Sequence, residues 1–472
     1  MALIKTIFRE YDIRGLAHVE GELTPENVRC IVNAFLAYKP NEKTLIVGSD
    51  YRSSSDEFRE ITIAAALKAG REVIDIGTVT TPMFYFAQYH WKVPAGIMIT
   101  ASHNPSEWNG FKLADGFSST LTADGIRAVR DLALTNAAPE ASPGGERRTF
   151  DVSEPYIDAI VSRLQFGKRR MKVVIDCGNG TASFIAPRVF EKLNVDIVPL
   201  FCEPDFTFPN HFPNPSNLEA REAAKAAVRS NRADLALLFD GDADRLGVVD
   251  DQGQDVWSDQ VVLLLALRLL EAGKSAKVVY DVKSTQALED VLPGKGGVPI
   301  MWKTGHSHIK QKSKEIGADL AGERSGHIFI FDRWFGFDDA VFAGAYFLEY
   351  LSQSDQSLSE RMARLPHYIT SPEIHAECAD AVKYDVVERL TRDFKKDFDR
   401  VIDINGARVV FPDGWGLVRA SSNLPELVFV FEAKSEDRLR QIHRIFRERC
   451  EKYPEISRKW ENDVYAETEV AK

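Results

Sequence analysis

Three stretches of the chain repeat one order of apolar and polar positions. They are "TLIVGSDYRSSSDEFREITIAAALKAGREVIDIG", "KVVIDCGNGTASFIAPRVFEKLNVDIVPL" and "AKVVYDVKSTQALEDVLPGKGGVPIMW". Each opens with a β-branched apolar run that ends in Asp or Gly. A small polar loop follows, then a segment of helical or mixed period, then a second apolar run. This order predicts the βαβ unit of a mostly parallel sheet. The third copy is the least regular, because "LPGKGGVP" interrupts it. Recurrence at intervals of roughly a hundred residues predicts three related α/β domains, not a short-period solenoid. Near "HYITSPE" (367–373) the pattern stops. The remainder alternates short strands, "VIDINGARVVF", "WGLVRASS" and "ELVFVFEA", with charged helices. Asn-Gly between apolar runs marks a hairpin, and the segment reads as a smaller α+β domain.

Boundaries fall where composition loosens. "TNAAPEASPGGERR" (135–148) reads as a linker, and a new helix is predicted after Asp255. Its apolar run, "VVLLLALRLL", is short and broken by Arg268, which predicts a buried helix and not a membrane span. The expected domains are 1–150, 151–255, 256–370 and 371–472.

Composition narrows the function classes. Of 472 residues, 44% are hydrophobic and 27% charged, and the formal net charge is −11. No Lys/Arg tract opposes that charge, which argues against a nucleic-acid partner. Any bound anion must be held by local arginines and lysines. The cysteines, Cys30, Cys177, Cys202, Cys378 and Cys450, are scattered and contain no Cys-x-x-Cys pair. They predict a reducing compartment with no disulfide framework and no zinc knuckle. "MALIKTIFREYDIRG" has no long apolar stretch of signal-peptide type. The expectation is a soluble cytoplasmic protein with no membrane partner.

The strongest chemical signal is "LALLFDGDADRLGVVDDQG" (235–253). A buried strand is predicted to end at Phe239, and Asp240, Asp242 and Asp244 then alternate. Three carboxylates at a strand end are costly unless a cation offsets them, and hard oxygen ligands suit Mg²⁺. An EF-hand is excluded, because the sixth loop position is Arg245 and the twelfth is Asp251. Arg245 suits a phosphate beside a metal.

Other motifs carry two readings each. "TASHNPSEWNGFK" (100–112) is either a plain strand exit or the site of a nucleophile, Ser102. In "AGERSGHIF", Glu323, Ser325 and His327 alternate. In an extended loop they would share one face and suit sugar hydroxyls; the competing reading is a polar turn with a satisfied histidine. "RASSN", with Arg419, suits a phosphate dianion or is an ordinary hairpin entry ended by Pro425. Arg14, before Gly15, meets a phosphate or forms a surface ion pair.

In order and spacing, "YDIRG", "TASHNP", "NGFK", "DGDADR", "KTGHS", "GERSGH" and "RASSN" resemble the α-D-phosphohexomutase superfamily, in its bacterial phosphomannomutase/phosphoglucomutase branch. The resemblance runs from Ile7 to about Ala433. It implies an α/β protein of four domains around a central cleft, three related mixed-sheet α/β domains and a C-terminal α+β domain. It implies a phosphoserine at Ser102, and Mg²⁺ held by that group with Asp240, Asp242 and Asp244. It sets Arg14, Lys112, Arg245 and His306 near the transferred phosphate. Tyr11, Lys283, Glu323, Ser325 and His327 would serve the sugar, and Arg419, Ser421, Ser422 and Asn423 the phosphate that is not reacting.

The implied reaction interconverts hexose 1-phosphate and hexose 6-phosphate of mannose and/or glucose. The two oxygens are too far apart for one step, so a phosphoserine donor splits it into two transfers through a hexose 1,6-bisphosphate, which also serves as activator. The implied partners are small-molecule sugar phosphates, and the implied state is a monomer or weak homo-oligomer. His103 is not expected to be the base, because in an extended chain adjacent side chains point apart. Three positions depart from the family pattern: "SSN" then Leu424 in the phosphate loop, Val430 where many relatives have Arg, and Ala243 where Gly is usual. The alternatives are a phosphoglucosamine mutase, whose usual "GTEP"-like loop is absent, and a phosphoserine-dependent phosphomonoester hydrolase. Retention of Ser102 and the three Asp argues against a non-catalytic relative.

Overall fold

The computed structural model describes residues 3–422 and 424–465. Among them are four β-sheets, each with its own covering helices. The first runs in the order Ile13–Leu16, Trp108–Gly116, Ala95–Ile99, Thr44–Ser49, Glu72–Thr78, Glu146–Thr149, with Ser119–Thr120 paired to Trp108–Gly116. Thr44–Ser49 is parallel to both its neighbours, whereas Ala95–Ile99 and Trp108–Gly116 are antiparallel. The sheet is therefore mixed.

The predicted βαβ units form. Thr44–Ser49 and Glu72–Thr78 are parallel, with the helix Ser55–Lys68 between them. Lys172–Asp176 and Asp196–Leu200 are parallel around the helix Ala186–Lys192. Lys277–Asp281 and Val298–Trp302 are parallel around Ala287–Val291. The interruption in the third copy becomes a short 3₁₀ turn, Pro293–Lys295, closed by Gly296 at φ 85°. Glycine takes that left-handed conformation without a Cβ penalty.

The second and third sheets share one hydrophobic core. The helix Ala340–Ser352 is buried at every position and packs between them, with Gly344 against Leu237 and Phe190. The helix Ser258–Glu271 buries Val261 to Leu267 beside it. Arg268, which breaks that apolar run, leaves the core by stacking on Tyr346 at 4.1 Å and pairing with Glu349. Among the described residues, no helix is long and apolar enough to cross a membrane.

The fourth sheet runs Val401–Ile402, Ala407–Phe411, Gly414–Ala420, Glu426–Ala433, Ile374–Glu377, Trp460–Glu461. The Asn-Gly hairpin lies between its first two strands. The helices Lys383–Asp397 and Glu436–Cys450 cover one face. On the other face Trp415, Leu417 and Val430 pack against Val282 of the third domain. Val430, the position where many relatives carry Arg, is fully buried in this cluster. Arg408, also buried, lies 3.7 Å over Trp415 and donates to the carbonyls of Val282 (2.7 Å) and Ser284 (2.8 Å).

Two stretches differ from expectation. The end of the predicted linker is the edge strand Glu146–Thr149, parallel to Glu72–Thr78. It has no apolar alternation because both its faces are exposed. Arg147, paired with Glu60 and Asp75, pins it. Ile369–Thr370, expected in the third domain, pairs with Glu426–Ala433 of the fourth sheet.

Arg408→Ala removes the only charge-assisted donor described for those two carbonyls and the partner stacked on Trp415. The expected cost is about 3 kcal/mol. Hydrogen exchange at residues 282–286 should rise while the first sheet is unchanged; equal protection in the variant would contradict this account.

Candidate active site

The site is built where strand ends of the first three domains meet. Ala95–Ile99 leads into Thr100, Ala101 and Ser102, and Ser102 turns the chain at φ 53°. A non-glycine residue in this region is uncommon and must be held by its surroundings. Here Arg52 does the holding. Its buried guanidinium donates to four carbonyls of the loop: Ser102 (2.8 Å), Asn104 (2.9 Å), Pro105 (2.7 Å) and Trp108 (3.1 Å). Asp50 anchors it from behind at 2.9 Å. From the second domain, Gly241 closes on the same turn. A Cβ there would lie 2.3 Å from the Ser102 carbonyl, so only glycine fits.

The strand Leu235–Phe239 ends at Asp240, and Asp240, Asp242 and Asp244 are all fully buried. One oxygen from each lies within 4.8 Å of the others. Oδ1 of Asp242 and Oδ1 of Asp244 have no hydrogen-bond partner. Burial, then the neighbouring Asp244 and Asp242, push the Asp240 carboxyl well above its usual range. Buried oxygens of this kind, converging and partly unsatisfied, fit a hard divalent cation such as Mg²⁺. Ala243 makes the turn at φ 60°, a left-handed conformation uncommon for a residue with a Cβ, and its methyl is fully buried.

Ser102 Oγ donates to Asp240 Oδ2 at 3.1 Å, so the serine hydroxyl already touches the carboxylate cluster. Lys112 lies 3.2 Å from Asp242 and pairs closely with Asp244. Although burial opposes its charge, these carboxylates hold its ammonium well above the usual pKa. Lys112 is thus a charged group. Thr81 of the first domain binds Asp242 through both its hydroxyl (2.6 Å) and its backbone N–H (3.0 Å).

Arg14 is buried and donates to Asp12 (2.8 Å) and Asn104 (2.6 Å), which removes the surface ion-pair reading. Arg245 Nε donates to His327 Nε2 at 3.1 Å. The other nitrogen of His327 lies 3.3 Å from Asp338 Oδ2. His306 Nδ1 lies 3.5 Å from the same oxygen, and Tyr11 packs edge-on to its ring at 4.8 Å. Burial, then Lys310, depress the His306 imidazole well below its usual pKa.

Two expectations about direction are corrected. Residues 323–326 are not extended; they form the turn between Leu320–Gly322 and Ile328–Ile330, with Gly326 at φ 115°. Glu323 faces the "KTGHS" loop and accepts from the Gly305 N–H at 2.6 Å, while His327 faces Arg245. Ser325 is half-buried at the tip. The second correction is His103. Because Ser102 is left-handed and not extended, the His103 ring swings to the same side. Its Nδ1 lies 3.1 Å from Ser102 Oγ. Burial, then Arg245 and Arg14, hold His103 well below its usual pKa, so it is neutral.

The remaining candidates lie around the third and fourth domains. Lys283 pairs with Glu373 at 2.7 Å. Arg419 is buried; it donates to Asn405 (3.0 Å) and Ser422 (3.1 Å). Ser421 accepts from the Leu424 N–H at 3.2 Å. Asn423 lies outside the described residues. Glu10 of the first domain faces this loop beside His308 at 3.0 Å. Arg52, Asp338, Asn405 and Glu373 are missing from the sequence reading. Arg52 in "SDYRSSS" had the form of an ordinary polar loop, and Asp338 in "FGFDDA" had the form of a helix-start acidic pair with Asp339.

Comparisons with known proteins follow the same layout. Descriptions of phosphoglucomutase/phosphomannomutase match in series: alpha/beta/alpha domain I at residues 5–139, domain II at 154–253, domain III at 257–368 and the C-terminal domain at 373–449. A phosphomannomutase/phosphoglucomutase of Pseudomonas putida is 41% identical over 448 residues, 94% of this chain and 96% of its own. A phosphoglucomutase of Neisseria gonorrhoeae is 38% identical over 462 residues, 96% of this chain and 99% of its own. The crystal structure of a phosphoglucomutase/phosphomannomutase family protein from Burkholderia thailandensis superposes with a TM-score of 0.87 at 36% identity, covering 95% of this chain and 98% of that one.

Arg52→Lys keeps a cation but cannot span four carbonyls. Hydrogen exchange across residues 101–108 should speed up about tenfold or more, corresponding to about 1.4 kcal/mol. Exchange in the strand Leu235–Phe239 should not change. Unaltered protection of the serine loop would show that the loop does not depend on this guanidinium.

Proposed function

The chain belongs to the phosphoglucomutase/phosphomannomutase family, and we propose that its hexose-phosphate mutase reaction runs through a phosphoryl group carried on Ser102. The family relation makes it a phosphotransferase-type isomerase. The observation that carries the residue-level reading is the contact of Ser102 Oγ with Asp240 inside a cluster of buried, partly unsatisfied carboxylates. A lone structural serine does not call for three buried Asp around it. A serine that carries a dianionic group beside a cation does.

In this reading Asp240, Asp242, Asp244 and the Ser102 oxygen hold Mg²⁺. The cation would offset charge on the phosphoryl oxygens. Lys112, Arg14 and Arg245 add fixed positive charge around the same position, arranged before substrate arrives. Ser102 has one proton and two acceptors at 3.1 Å, Asp240 and His103. Asp240 is assigned to the metal, which leaves His103 Nδ1 as the other polar atom within reach of the serine oxygen. Glu323, Ser325, His327, Lys283, His306 and Tyr11 serve the sugar. Arg419, Ser421 and Ser422 hold the phosphate that is not reacting, and Asn423 belongs to the same proposed loop.

A hexose 1,6-bisphosphate follows as intermediate and activator. Ser102 donates to the free hydroxyl, the bisphosphate turns end over end, and Ser102 takes back the other phosphate. Mannose and glucose phosphates are the proposed substrates, because a loop that reads phosphate tolerates either epimer. The proposed location is the cytoplasm, and the proposed state is a monomer or weak homo-oligomer.

The test supplies Mg²⁺, a trace of hexose 1,6-bisphosphate and each hexose 1-phosphate in turn. The expected product is the 6-phosphate; free phosphate without isomer would move the reading to a phosphomonoester hydrolase. Chelation of the metal should stop turnover, and added Mg²⁺ should restore it. Ser102→Ala should lower kcat by at least about 10³-fold while sugar-phosphate binding persists. Intact mass should show one phosphoryl group on active protein and none on the variant.

A further inference from the structure

Cys177 and Cys202 lie side by side where the second sheet ends. Lys172–Asp176 and Asp196–Leu200 are parallel neighbours with Asp176 opposite Leu200, so the chain leaves both strands at the same end. The Cys177 N–H donates to the Leu200 carbonyl at 3.2 Å. Phe201 then adopts φ 49°, an uncommon conformation for a bulky aromatic residue. The Asn179 N–H holds the Phe201 carbonyl at 2.8 Å, and its ring meets His211 edge-on at 5.3 Å. This strained turn sends Cys202 back over the strand end. Its sulfur lies 3.2 Å from the Ile175 carbonyl and 3.4 Å from the Cys177 sulfur. Cys177 is fully buried and Cys202 half-buried.

We propose that Cys177 and Cys202 are an oxidisable dithiol that closes to a disulfide on reaction with a peroxide, and that closure slows the mutase. A half-buried thiol beside a buried resolving thiol is the arrangement that peroxide-sensitive pairs use. The two acidities agree with it: the contact with Cys177 lowers the Cys202 thiol against the effect of burial, and burial pushes the Cys177 thiol well up. Cys202 is the half-buried sulfur and Cys177 the buried one, so Cys202 meets the peroxide first. Its thiolate attacks one peroxide oxygen, the O–O bond breaks, and the leaving hydroxide takes up a proton as water. The sulfenic acid on Cys202 is then attacked by the Cys177 sulfur, the S–O bond breaks, and a second water leaves. Two thiols and one hydrogen peroxide give one disulfide and two waters.

Closure must reach the site because of what Cys177 begins. Its carbonyl accepts from the Gly180 N–H at 2.8 Å, and Thr181 donates to the Gly241 carbonyl at 2.9 Å. Gly178 packs on His211 and Pro213, and the Pro213 carbonyl accepts from the Gly241 N–H at 3.1 Å. The turn after Cys177 is thus the seat of Gly241, which itself lies against Ser102. A disulfide draws the sulfurs from 3.4 Å to bonding distance, about 1.4 Å closer. A misplacement of about 1 Å at a reacting centre costs up to about 10²-fold in rate, and the part of the sulfur shift that the Cys177 turn passes to Gly241 acts at Ser102.

The experiment treats the full chain, loaded with Mg²⁺, with a small excess of hydrogen peroxide, then adds catalase, blocks free thiols and maps peptides. The expected result is a Cys177–Cys202 cross-linked peptide, lighter by two hydrogens than its two thiol peptides. Isomerase activity should fall roughly tenfold and return with dithiothreitol, while Cys202→Ser resists both changes. Several results would overturn the proposal: no cross-link, Cys202 recovered only as sulfinic or sulfonic acid, unchanged turnover in the cross-linked fraction, or a Cys202→Ser variant inactivated as fast as the parent. The activity readout rests on the mutase reading and the peptide map does not, so the two failures are distinguishable.

Discussion

Three carboxylates buried at the end of one strand dominate this structure. Asp240, Asp242 and Asp244 have essentially no exposure, and like charges so close disfavour one another. The surrounding groups follow from that cost. Lys112 reaches Asp242 and Asp244 from the first domain, Arg245 lies 3.8 Å from Asp240, and Thr81 satisfies one oxygen of Asp242. Protein cations and hydroxyls thus cover part of the charge. The oxygens they leave unsatisfied converge where a divalent cation would fit.

The same cluster explains why the first and second domains must meet. Ser102 comes from one and the carboxylates from the other, and Gly241 allows the serine carbonyl to approach. Arg52 then fixes the serine loop through backbone atoms alone. Its role does not depend on which side chains the loop carries. Side chain and backbone face different ways here: the Ser102 hydroxyl meets Asp240 and His103, and carbonyls of the same loop face Arg52.

Much of this was legible in the chain. The βαβ units, the buried helix around Arg268 and the Asn-Gly hairpin follow from local period and turn chemistry, which the sequence carries directly. The Asp triad was legible because its spacing is local. What was not legible depends on tertiary placement. The His103 contact requires a left-handed Ser102, which only the Arg52 and Gly241 contacts enforce. Asp338 lies between His306 and His327, yet those three positions are far apart in the chain. Asn405 signals only a turn in sequence; in the fold it also orients Arg419. The edge strand Glu146–Thr149 has no apolar period because neither of its faces is covered.

The fourth domain is attached unequally. Toward the third domain it presents Trp415, Leu417 and Val430 in a dry cluster with a buried guanidinium hydrogen-bonded across. Toward the first domain it presents polar contacts, among them Arg9 with Asp380 at 4.0 Å and Glu10 beside the Arg419 loop. Burial raises the Glu10 carboxyl, but His308, Ser422 and Arg419 outweigh it and keep the group ionised. Any anion drawn to Arg419 and Ser422 must therefore compete with this carboxylate for the same donors. The polar contact toward the first domain is thus the one an anion would exchange, and the apolar contact with the third domain does not depend on it.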